Sequence, residues 1–484
     1  MRISHLFILL AASAMLTACD FLDEYNPNSV TVGNYYTSEE DIVASLNGVY
    51  TSLTQSYVAD NYHYFTDVRA NATVVTNSGA NSGIPYQFYN YTLTEENVYV
   101  YNRYSQLYKI ISRANTLFAH LGDVSYATPS ARDTYEAEAR FLRALSYYWL
   151  VTEWGDVPLV LKVLESTEEV RANNYRRPKA EIYQAIFDDL KYVTESPLLD
   201  VQPASACGKV SKAAAWALWG KALLQQACDE DFIGSELLGQ AIGKLTAAWD
   251  LRKFGELSSV SYSSVWDLST QKSCAENLFQ VNYIQGNADL GSVWNYMYGP
   301  EGAGVTSQRK GEMQNVTIQA VYDSFEPGDV RRSFLRATNK AGQTYYHTMK
   351  YADLECGANG YGGNNWIVLR YADVALMLAE AYYWSKEETL AKTWLNKVRE
   401  RAGLGDWSGS DLRQGIYDER LHEFMQEGLR WQDLLRMYDR MEMLEHFSAI
   451  NSNFSLKDLL LPIPYNERIL NPEGLYQNPG YGSN

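Results

Sequence analysis

The chain has few of the residues that usually carry chemistry. Its 484 residues include 5 cysteines and 6 histidines, and their spacings match neither a zinc module nor an H-E-x-x-H metalloprotease motif. There is no G-x-S-x-G nucleophile elbow, and the glycines at 360–363 lack the Lys-Ser/Thr ending of a phosphate loop. We therefore expect no metal, no cofactor and no enzymatic activity. A glycosidase carboxylate pair, hidden among the acidic residues, stays the open enzymatic alternative.

Basic residues are also scarce, with 41 Lys and Arg against 58 Asp and Glu and a net charge of −17 at pH 7. An acidic surface repels phosphates and anionic headgroups, so we expect neither nucleic acid nor anionic lipid as a partner. No apolar run reaches the roughly 18 residues of a transmembrane helix. We expect the chain after its N-terminal segment to be soluble.

The first 18 residues have the pattern of a lipoprotein signal peptide. Arg2 precedes a short apolar run at residues 6–10, and residues 16–18 lead into Cys19. This lipobox-like ending predicts that Cys19 is lipidated and becomes the first mature residue. Acyl chains bind membranes with about 0.8 kcal/mol per buried CH₂, so the anchor would be stable.

The remaining chain is predicted to form a tether and one domain. Residues 19–34 read as an extended, lipidated tether, whose acidic start resembles an export signal of Bacteroidetes-type surface lipoproteins. Residues 35–484 show no low-complexity linker, which favours a single compact domain. Four cysteines lie in this domain, and the sequence leaves open whether they form one or two disulfides or stay as buried thiols: Cys207, Cys228, Cys274 and Cys356.

The fold class predicted from periodicity is mainly α. Apolar residues recur at helical spacing in several segments, and caps mark their ends, such as Ser38 with Asp41, Gly155 and Pro178. The segment 211–227 resembles the first helix of a tetratricopeptide repeat, in which Gly220 lets the paired helix approach closely. We expect stacked helical hairpins that form a scaffold. The predicted helical segments begin at residue 38 and then span 97–120, 131–154, from 178, 211–227, 371–384, 389–402, 411–426 and 428–446.

Two segments break this pattern and are predicted to be irregular insertions, at about 57–96 and 255–369. The second is rich in glycine and carries two short strand patterns, at 278–284 and 344–351. Irregular segments on a rigid scaffold are common places for binding sites, so we expect the ligand site there.

Four groups of motifs resemble the SusD/RagB family of outer-membrane nutrient-binding lipoproteins and, with the lipobox, cover the chain from end to end. They are EARFLRA (138–144) with WGDVPL (154–159); LRYADV (369–374) with AEA (379–381) and LNKVR (395–399); ERLHE (419–423) with EGLRWQDL (427–434); and LPIPYNE (461–467) with QNPGY (477–481). Their charged residues lie within apolar helical patterns, which indicates pairs between helices rather than chemistry. These are Arg140, Arg143, Arg370, Glu380, Glu419, Arg420, Glu427 and Arg430.

The resemblance implies a function. Family members bind a ligand without transforming it, above a SusC-type TonB-dependent outer-membrane transporter. They capture oligosaccharide or, in RagB-like relatives, peptide, and deliver it to the transporter barrel. We expect an oligosaccharide ligand and attachment to the outer membrane through the lipid. A peptide-capturing subunit and a ligand-free structural scaffold remain the alternatives.

Candidate ligand residues follow from chemistry, because a sugar site needs exposed aromatic faces with amide or charged groups beside them. The two irregular insertions and the helix start after the first offer such residues, and Trp294 and Trp366 lie on no evident helical stripe. We expect two or three of the following to line one shallow platform: Tyr62, Tyr64, Asp67, Arg69, Tyr99, Asn102, Trp294, Asn295, Tyr296, Tyr298 and Trp366.

Overall fold

The computed structural model describes residues 35–56, 58–76, 83–230 and 236–482. Cys19 and the predicted tether lie outside the described residues, and so do residues 77–82 of the first predicted insertion. In the described part of the chain, no helix combines the length and the apolar character that crossing a bilayer requires.

Helices dominate the described structure, as the periodicity predicts. The α-helices in chain order are α1 Glu39–Thr51, α2 Tyr86–Tyr89, α3 Val98–His120, α4 Ala131–Trp154, α5 Thr167–Asn173, α6 Lys179–Glu195, α7 Lys212–Asp229, α8 Glu236–Asp250, α9 Trp294–Met297, α10 Gln319–Asp323, α11 Tyr371–Trp384, α12 Glu388–Arg401, α13 Leu412–Glu423, α14 Arg430–Met437, α15 Arg440–Ile450 and α16 Tyr465–Arg468. A π-helical turn spans Tyr64–Val68.

The predicted caps are confirmed. The Ser38 hydroxyl accepts a hydrogen bond from the backbone N–H of Asp41, and the Asp41 carboxylate accepts one from the backbone N–H of Ser38 at 2.9 Å. Gly155 follows α4 with φ +76°, a conformation that costs residues with a Cβ atom more than it costs glycine. Pro178 directly precedes α6.

Neighbouring helices pack as hairpins, and α7 with α8 shows why. A Cβ atom on Gly220 would lie 2.5 Å from Cγ of Leu245, far inside van der Waals contact. Glycine at this position therefore lets the two helices approach to a distance that any side chain would prevent. This confirms the close approach that the repeat-like motif predicts.

The last predicted helix is wrong in one respect, because residues 428–446 form two helices rather than one. The first, α14, ends at Met437, and α15 begins after Asp439. The Asp439 carboxylate accepts hydrogen bonds from the backbone N–H groups of Met441 and Glu442, which starts a new helix with its own capping box. The preceding predicted helix, 411–426, ends earlier, at Glu423.

Within the described residues, the strands form three small sheets, and all pairs between these strands are antiparallel. Two strands match the predicted ones in shortened form, and the others were not predicted. They are β1 Thr73–Val74, β2 Val157–Pro158, β3 Arg176–Arg177, β4 Asn277–Val281, β5 Val316–Ile318, β6 Leu335–Lys340, β7 Gln343–Thr348 and β8 Trp366–Arg370. One sheet has the order β1-β5-β7-β6, and the other two pair β2 with β3 and β4 with β8.

The predicted structural charges do bridge elements of the scaffold. Arg143 pairs with Asp189 at 2.8 Å between α4 and α6, and Arg420 pairs with Asp373 at 2.8 Å between α13 and α11. The remaining members have partners as well. Arg140 pairs with Asp189, Arg370 with Glu427, Glu380 with Arg436, Glu419 with Arg331, and Arg430 donates to the Tyr417 carbonyl.

All four cysteines of the described structure are free thiols. Burial raises the pKa of the Cys228 thiol to about 12, and Asp229 adds to this rise. The free-thiol alternative is therefore confirmed, but the expectation of burial holds fully only for Cys356, because Cys207, Cys228 and Cys274 are half-buried.

Candidate functional site

The structure buries most of the aromatic residues that the sequence offered as ligand contacts. Tyr62 packs against Trp149 and Trp366, with ring centroids 6.2 and 5.5 Å away. The Arg103 guanidinium covers the same ring at 4.3 Å, and the Tyr64 hydroxyl donates to Gln314 at 2.9 Å. Tyr62 and Tyr64 are therefore core residues that join the first insertion to the scaffold.

Asp67 and Arg69 are buried on the same turn. The Asp67 carboxylate accepts a hydrogen bond from the backbone N–H of Gly428 at 3.1 Å, and burial raises its pKa to about 7. The Arg69 guanidinium lies 4.1 Å from the centroid of the Trp431 ring. Tyr99 and Asn102 are half-buried in the first turns of α3, and the Tyr99 ring lies 5.6 Å from that of Tyr64.

The candidates around α9 are equally enclosed. Trp294 is 2% exposed and packs edge-to-face on Tyr283, and Tyr298 packs on Tyr351. Asn295 is buried, and Tyr296, at 7% exposure, has the Arg309 guanidinium 3.8 Å above its ring.

Trp366 is 6% exposed and stacks on Trp149 at 5.9 Å. The expectation of exposed faces at Trp294 and Trp366 is therefore wrong, because both rings complete aromatic clusters of the core. A role of these eleven residues in ligand binding stays a prediction.

An open cavity of about 770 Å³ lies at the four-stranded sheet and is lined by aromatic rings that are partly accessible. Tyr89 from α2 and Tyr345 from β7 line it and are both half-buried. Amide and hydroxyl groups lie beside them, from Thr76, Gln319, Gln343 and Thr344. We call this the tyrosine cavity. Aromatic faces next to amides are the combination that the C–H faces and hydroxyls of a sugar require.

Hydrogen bonds fix the polar groups of the tyrosine cavity. The Tyr345 hydroxyl donates to Gln343 at 2.5 Å, and the Lys340 ammonium donates to the Thr76 carbonyl at 2.7 Å. The same ammonium pairs with Glu301 at 2.6 Å, which links the β6–β7 hairpin to the loop after α9. Burial raises the pKa of Tyr89, and Tyr86 adds to this rise, so the Tyr89 hydroxyl remains a protonated donor at neutral pH.

A second open cavity, of about 790 Å³, lies within the larger insertion. Two of its three aromatic rings, Trp266 and Tyr283, are buried, and the half-buried third, Phe334, has no hydroxyl. Charged groups from Asp267, Lys272 and Glu355 line the same cavity. In the described part of the chain, no three His, Cys, Asp or Glu side chains converge in a way that could hold a metal ion. The tyrosine cavity is therefore the better candidate for recognition of a neutral, hydroxyl-rich ligand.

Two family models match the chain. The model described as the SusD family matches residues 297–481, and the model described as starch-binding associating with outer membrane matches residues 20–224. The chain belongs to the SusD/RagB family.

Relatives of this SusD/RagB chain span its full length. SusD-like protein P2 of Formosa agariphila is 28% identical over 522 residues, with 99% of each chain covered, and SusD-like protein P25 of the same organism is 25% identical over 534 residues, with 99% of this chain and 100% of P25 covered.

Solved structures show the same fold. Surface glycan-binding protein A from Bacteroides uniformis superposes with a TM-score of 0.77 at 22% identity, covering 91% of this chain and 99% of that chain. A laminarin-binding SusD-like protein superposes with a TM-score of 0.75 at 24% identity, covering 92% and 100%. The predicted family and helical fold are thus confirmed.

The tyrosine cavity of this SusD/RagB chain was missed from sequence, although a weak signal for it exists. Tyr345 and Tyr346 are consecutive in a strand, so their side chains leave opposite faces and one of the two must point away from the buried side. Tyr346 is the buried one, and its hydroxyl donates to Gln319 at 2.8 Å. Tyr89 offered no comparable signal, because α2 has only four residues.

Proposed function

We propose that this SusD/RagB chain is a lipid-anchored protein of the outer membrane, exposed at the cell surface, that captures oligosaccharide and delivers it to a SusC-type TonB-dependent transporter. It binds its ligand without transforming it. The observation that carries the proposal is the tyrosine cavity, an open site with two accessible rings and adjacent amides, on a fold shared with surface glycan-binding proteins.

The N-terminal sequence and the structural neighbours give further support. The lipobox-like ending at Cys19 supplies an anchor, and a family model associated with the outer membrane matches the residues that follow it. One structural neighbour was solved in complex with laminarihexaose and another is described as laminarin-binding, so laminarin is the first glycan to test.

The test is affinity electrophoresis of the protein through gels that contain laminarin or other polysaccharides. We expect retardation by at least one glycan and loss of at least about tenfold in affinity when Tyr89→Ala and Tyr345→Ala are combined; tenfold corresponds to about 1.4 kcal/mol. The matched control is Tyr382→Ala with Tyr383→Ala, because both tyrosines are half-buried on α11, outside the cavity.

Other outcomes identify the alternatives. Binding of casein-derived peptides without retardation by any glycan would favour the peptide-capturing function. Absence of both would favour the structural scaffold. Release of new reducing ends from a bound glycan would contradict the proposal that the chain only binds. Alanine at Trp294, Tyr296 and Trp366 would report on folding, because all three rings are buried.

A further inference from the structure

One face of the four-stranded sheet lines the tyrosine cavity. Successive side chains of a strand leave on opposite faces, so residues two apart in a strand, and residues paired across two strands, share a face. The observed register therefore places five residues of the cavity lining on the same face: Val74 from β1, Ile318 from β5, Lys340 from β6, and Gln343 and Tyr345 from β7.

The opposite face of the same sheet is buried. Leu335 and Tyr346 belong to a small apolar cluster with Phe325 and Met425. The Tyr346 ring also stacks on that of Tyr322 from α10, with centroids 3.7 Å apart. The β6–β7 hairpin thus packs through this face, and the face of Tyr345 stays open at the cavity.

Two cations flank Tyr345 along strand β6. Tyr345 is paired with Thr338, so Arg336 and Lys340, two residues to either side of Thr338, are its diagonal neighbours on the same face. Diagonal neighbours across antiparallel strands lie about 7–8 Å apart, within reach of long side chains. Arg336 is exposed and lies outside the cavity lining, one step further along the face. Stacking of a neutral sugar on the Tyr345 ring requires neither cation.

Arg336 has no counter-charge in the described part of the chain. It takes part neither in the ion pair of the β6–β7 hairpin nor in the side-chain hydrogen bonds of that hairpin. Burial and the nearby charge of Arg336 lower the pKa of His347, its cross-strand partner, to about 4. His347 is therefore neutral at pH 7, and Arg336 keeps an exposed positive charge beside it.

Lys340 is held in place on the other side of the Tyr345 ring. Its ammonium donates to the Thr76 carbonyl at 2.7 Å and to the Glu301 carboxylate at 2.6 Å, and one of its three N–H donors remains. Glu301 is exposed, and surface ion pairs contribute little to stability, so an anionic ligand can replace this carboxylate. The hydrogen bond and charge of Lys340 lower the pKa of Glu301, and Lys310 lowers it further, so a third cation lies nearby.

Carboxylates are scarce around this face. Lys340 is the only charged residue among the described residues that line the cavity, and the segment 70–94, which supplies part of that lining, contains no charged residue in its sequence. The Asp323 carboxylate accepts a hydrogen bond from the Gln319 amide at 2.9 Å, but the Gln319 oxygen is bonded to Tyr346 on the buried face. Positive charge therefore predominates beside the cavity, although the whole chain has a net charge of −17.

We infer that Arg336 and Lys340 form a cationic subsite beside the tyrosine cavity, which binds an anionic substituent of the captured oligosaccharide. The inference rests on the proposed function and adds the chemical class of the ligand, an acidic glycan. The cavity contacts the uncharged faces and hydroxyls of the sugar rings, and the subsite contacts a carboxylate or a sulfate ester on them. A guanidinium suits such groups, because its N–H donors form a fork that matches two oxygens at once.

The test compares glycans that differ only in charge, with affinities measured by isothermal titration calorimetry on the full-length protein in mild detergent. Laminarin is paired with its sulfated and with its carboxymethylated derivative, and polygalacturonate is paired with its methyl ester. We expect at least one anionic member to bind at least about tenfold more tightly than its neutral counterpart, since hydrogen bonds to charged groups are the stronger ones. The chain as a whole repels polyanions, so such a preference requires a local site.

The decisive variant is Arg336→Gln, because Arg336 has no other partner in the described structure. It should remove most of the preference for the anionic member and change the affinity for the neutral member by less than about twofold, whereas Arg336→Lys should retain the preference. Adding Lys340→Gln should weaken anionic binding further. The control combines Arg171→Gln and Lys253→Gln, two exposed cations outside the hairpin that form no ion pair among the described residues. It should leave both affinities unchanged.

Three results would overturn the inference. They are equal affinity for the neutral and anionic members of every pair, an anionic preference that Arg336→Gln leaves intact, and an equal loss of that preference in the control. Binding of neutral glycan that requires Tyr89 and Tyr345 would still support the proposed function in each of these cases. Absence of binding to every glycan, neutral or anionic, would instead contradict the proposed function itself.

Discussion

Two buried carboxylates, Asp373 in the helical scaffold and Asp60 in the first irregular insertion, have pKa values shifted in opposite directions. In the scaffold, burial alone would raise the pKa of Asp373, but Lys221 and Arg420 outweigh it and lower that pKa. Arg401, Arg370 and Arg331 likewise lower the pKa of Glu423 against the effect of its burial.

At Asp60, in the first insertion, no cation of the described residues offsets the effect of burial. Burial raises the pKa of Asp60 to about 7, and one of its carboxylate oxygens is buried without a hydrogen-bond partner in the described structure. An aspartate thus stabilises the fold through ion pairs at Asp373 but lowers stability at Asp60, where its ionised form is disfavoured. Asp373 is paired with cations, whereas Asp60 is a polar group that the surrounding structure does not fully satisfy.

The largest expected effect comes from removing the charge of a buried carboxylate that pairs with several arginines. Glu423 pairs with Arg370 at 2.5 Å, with Arg331 at 3.0 Å and with Arg401, and so joins both insertion and scaffold elements. Glu423→Gln leaves buried cations without their counter-charge and should lower the free energy of unfolding by about 3–5 kcal/mol. Thermal and chemical denaturation measure this change.

The control for this prediction is Glu442→Gln. Glu442 pairs with Arg413 at 3.1 Å at the surface, where an ion pair contributes less than about 1 kcal/mol. Equal losses in the two variants would show that burial of the Glu423 pairs does not matter, and the contrast between the two regions would collapse.

Asp60→Asn should stabilise the protein, in a pH-dependent manner. Folded Asp60 keeps its proton up to about pH 7, whereas the unfolded residue loses it near pH 4, so the stability of the wild type falls as pH rises between these values. Three pKa units set an upper limit of about 4 kcal/mol on the gain at pH 8. Denaturation at pH 4.5 and pH 8 measures the difference.

Asp289→Asn, at an exposed aspartate of the other insertion, should show no such pH-dependent gain. A gain for Asp60→Asn that is the same at both pH values would contradict the assignment of the shift to its carboxylate.

A smaller effect tests how tightly the scaffold is packed. Gly220→Ala places a methyl group 2.5 Å from Cγ of Leu245 and should cost about 1–3 kcal/mol of stability. Gly243→Ala lies on the adjacent helix with nothing within 4 Å of the new atom, and should stabilise by up to about 1 kcal/mol. Differential scanning calorimetry of both variants gives the comparison, and a stable Gly220→Ala protein would refute the close approach of α7 and α8.

Much of the scaffold could be predicted from the sequence, because the apolar periodicity of a helix extends over many residues. The stripes of α3 and α4, the cap at Ser38 and the glycine stop at Gly155 are local signals, and the structure confirms them. The break at Asp439 could have been found as well, since Asp439 and Glu442 form a capping-box pattern inside the apparent helix.

The site could not be predicted to the same degree. Tyr62 and Tyr345 are the same residue type in similarly irregular segments, yet one is buried under Arg103 and the other lines an open cavity. Contacts between residues far apart in sequence decide which ring stays accessible. Strands such as β1 and β5, with two and three residues, are too short to show an alternating pattern.

The last residues of the described chain close the scaffold over a long sequence distance. The Trp154 indole donates to the Pro462 carbonyl at 3.0 Å, and the Asn478 amide donates to the carbonyls of Trp154 and Leu461. The two bonds of Asn478 cannot form until residue 478 has been synthesised, even if α4 forms much earlier. Because such distant contacts slow folding, a polypeptide delivered N-terminus first stays incomplete until its final segment arrives. The bonds of Asn478 thus complete the scaffold only after nearly the whole chain has been synthesised.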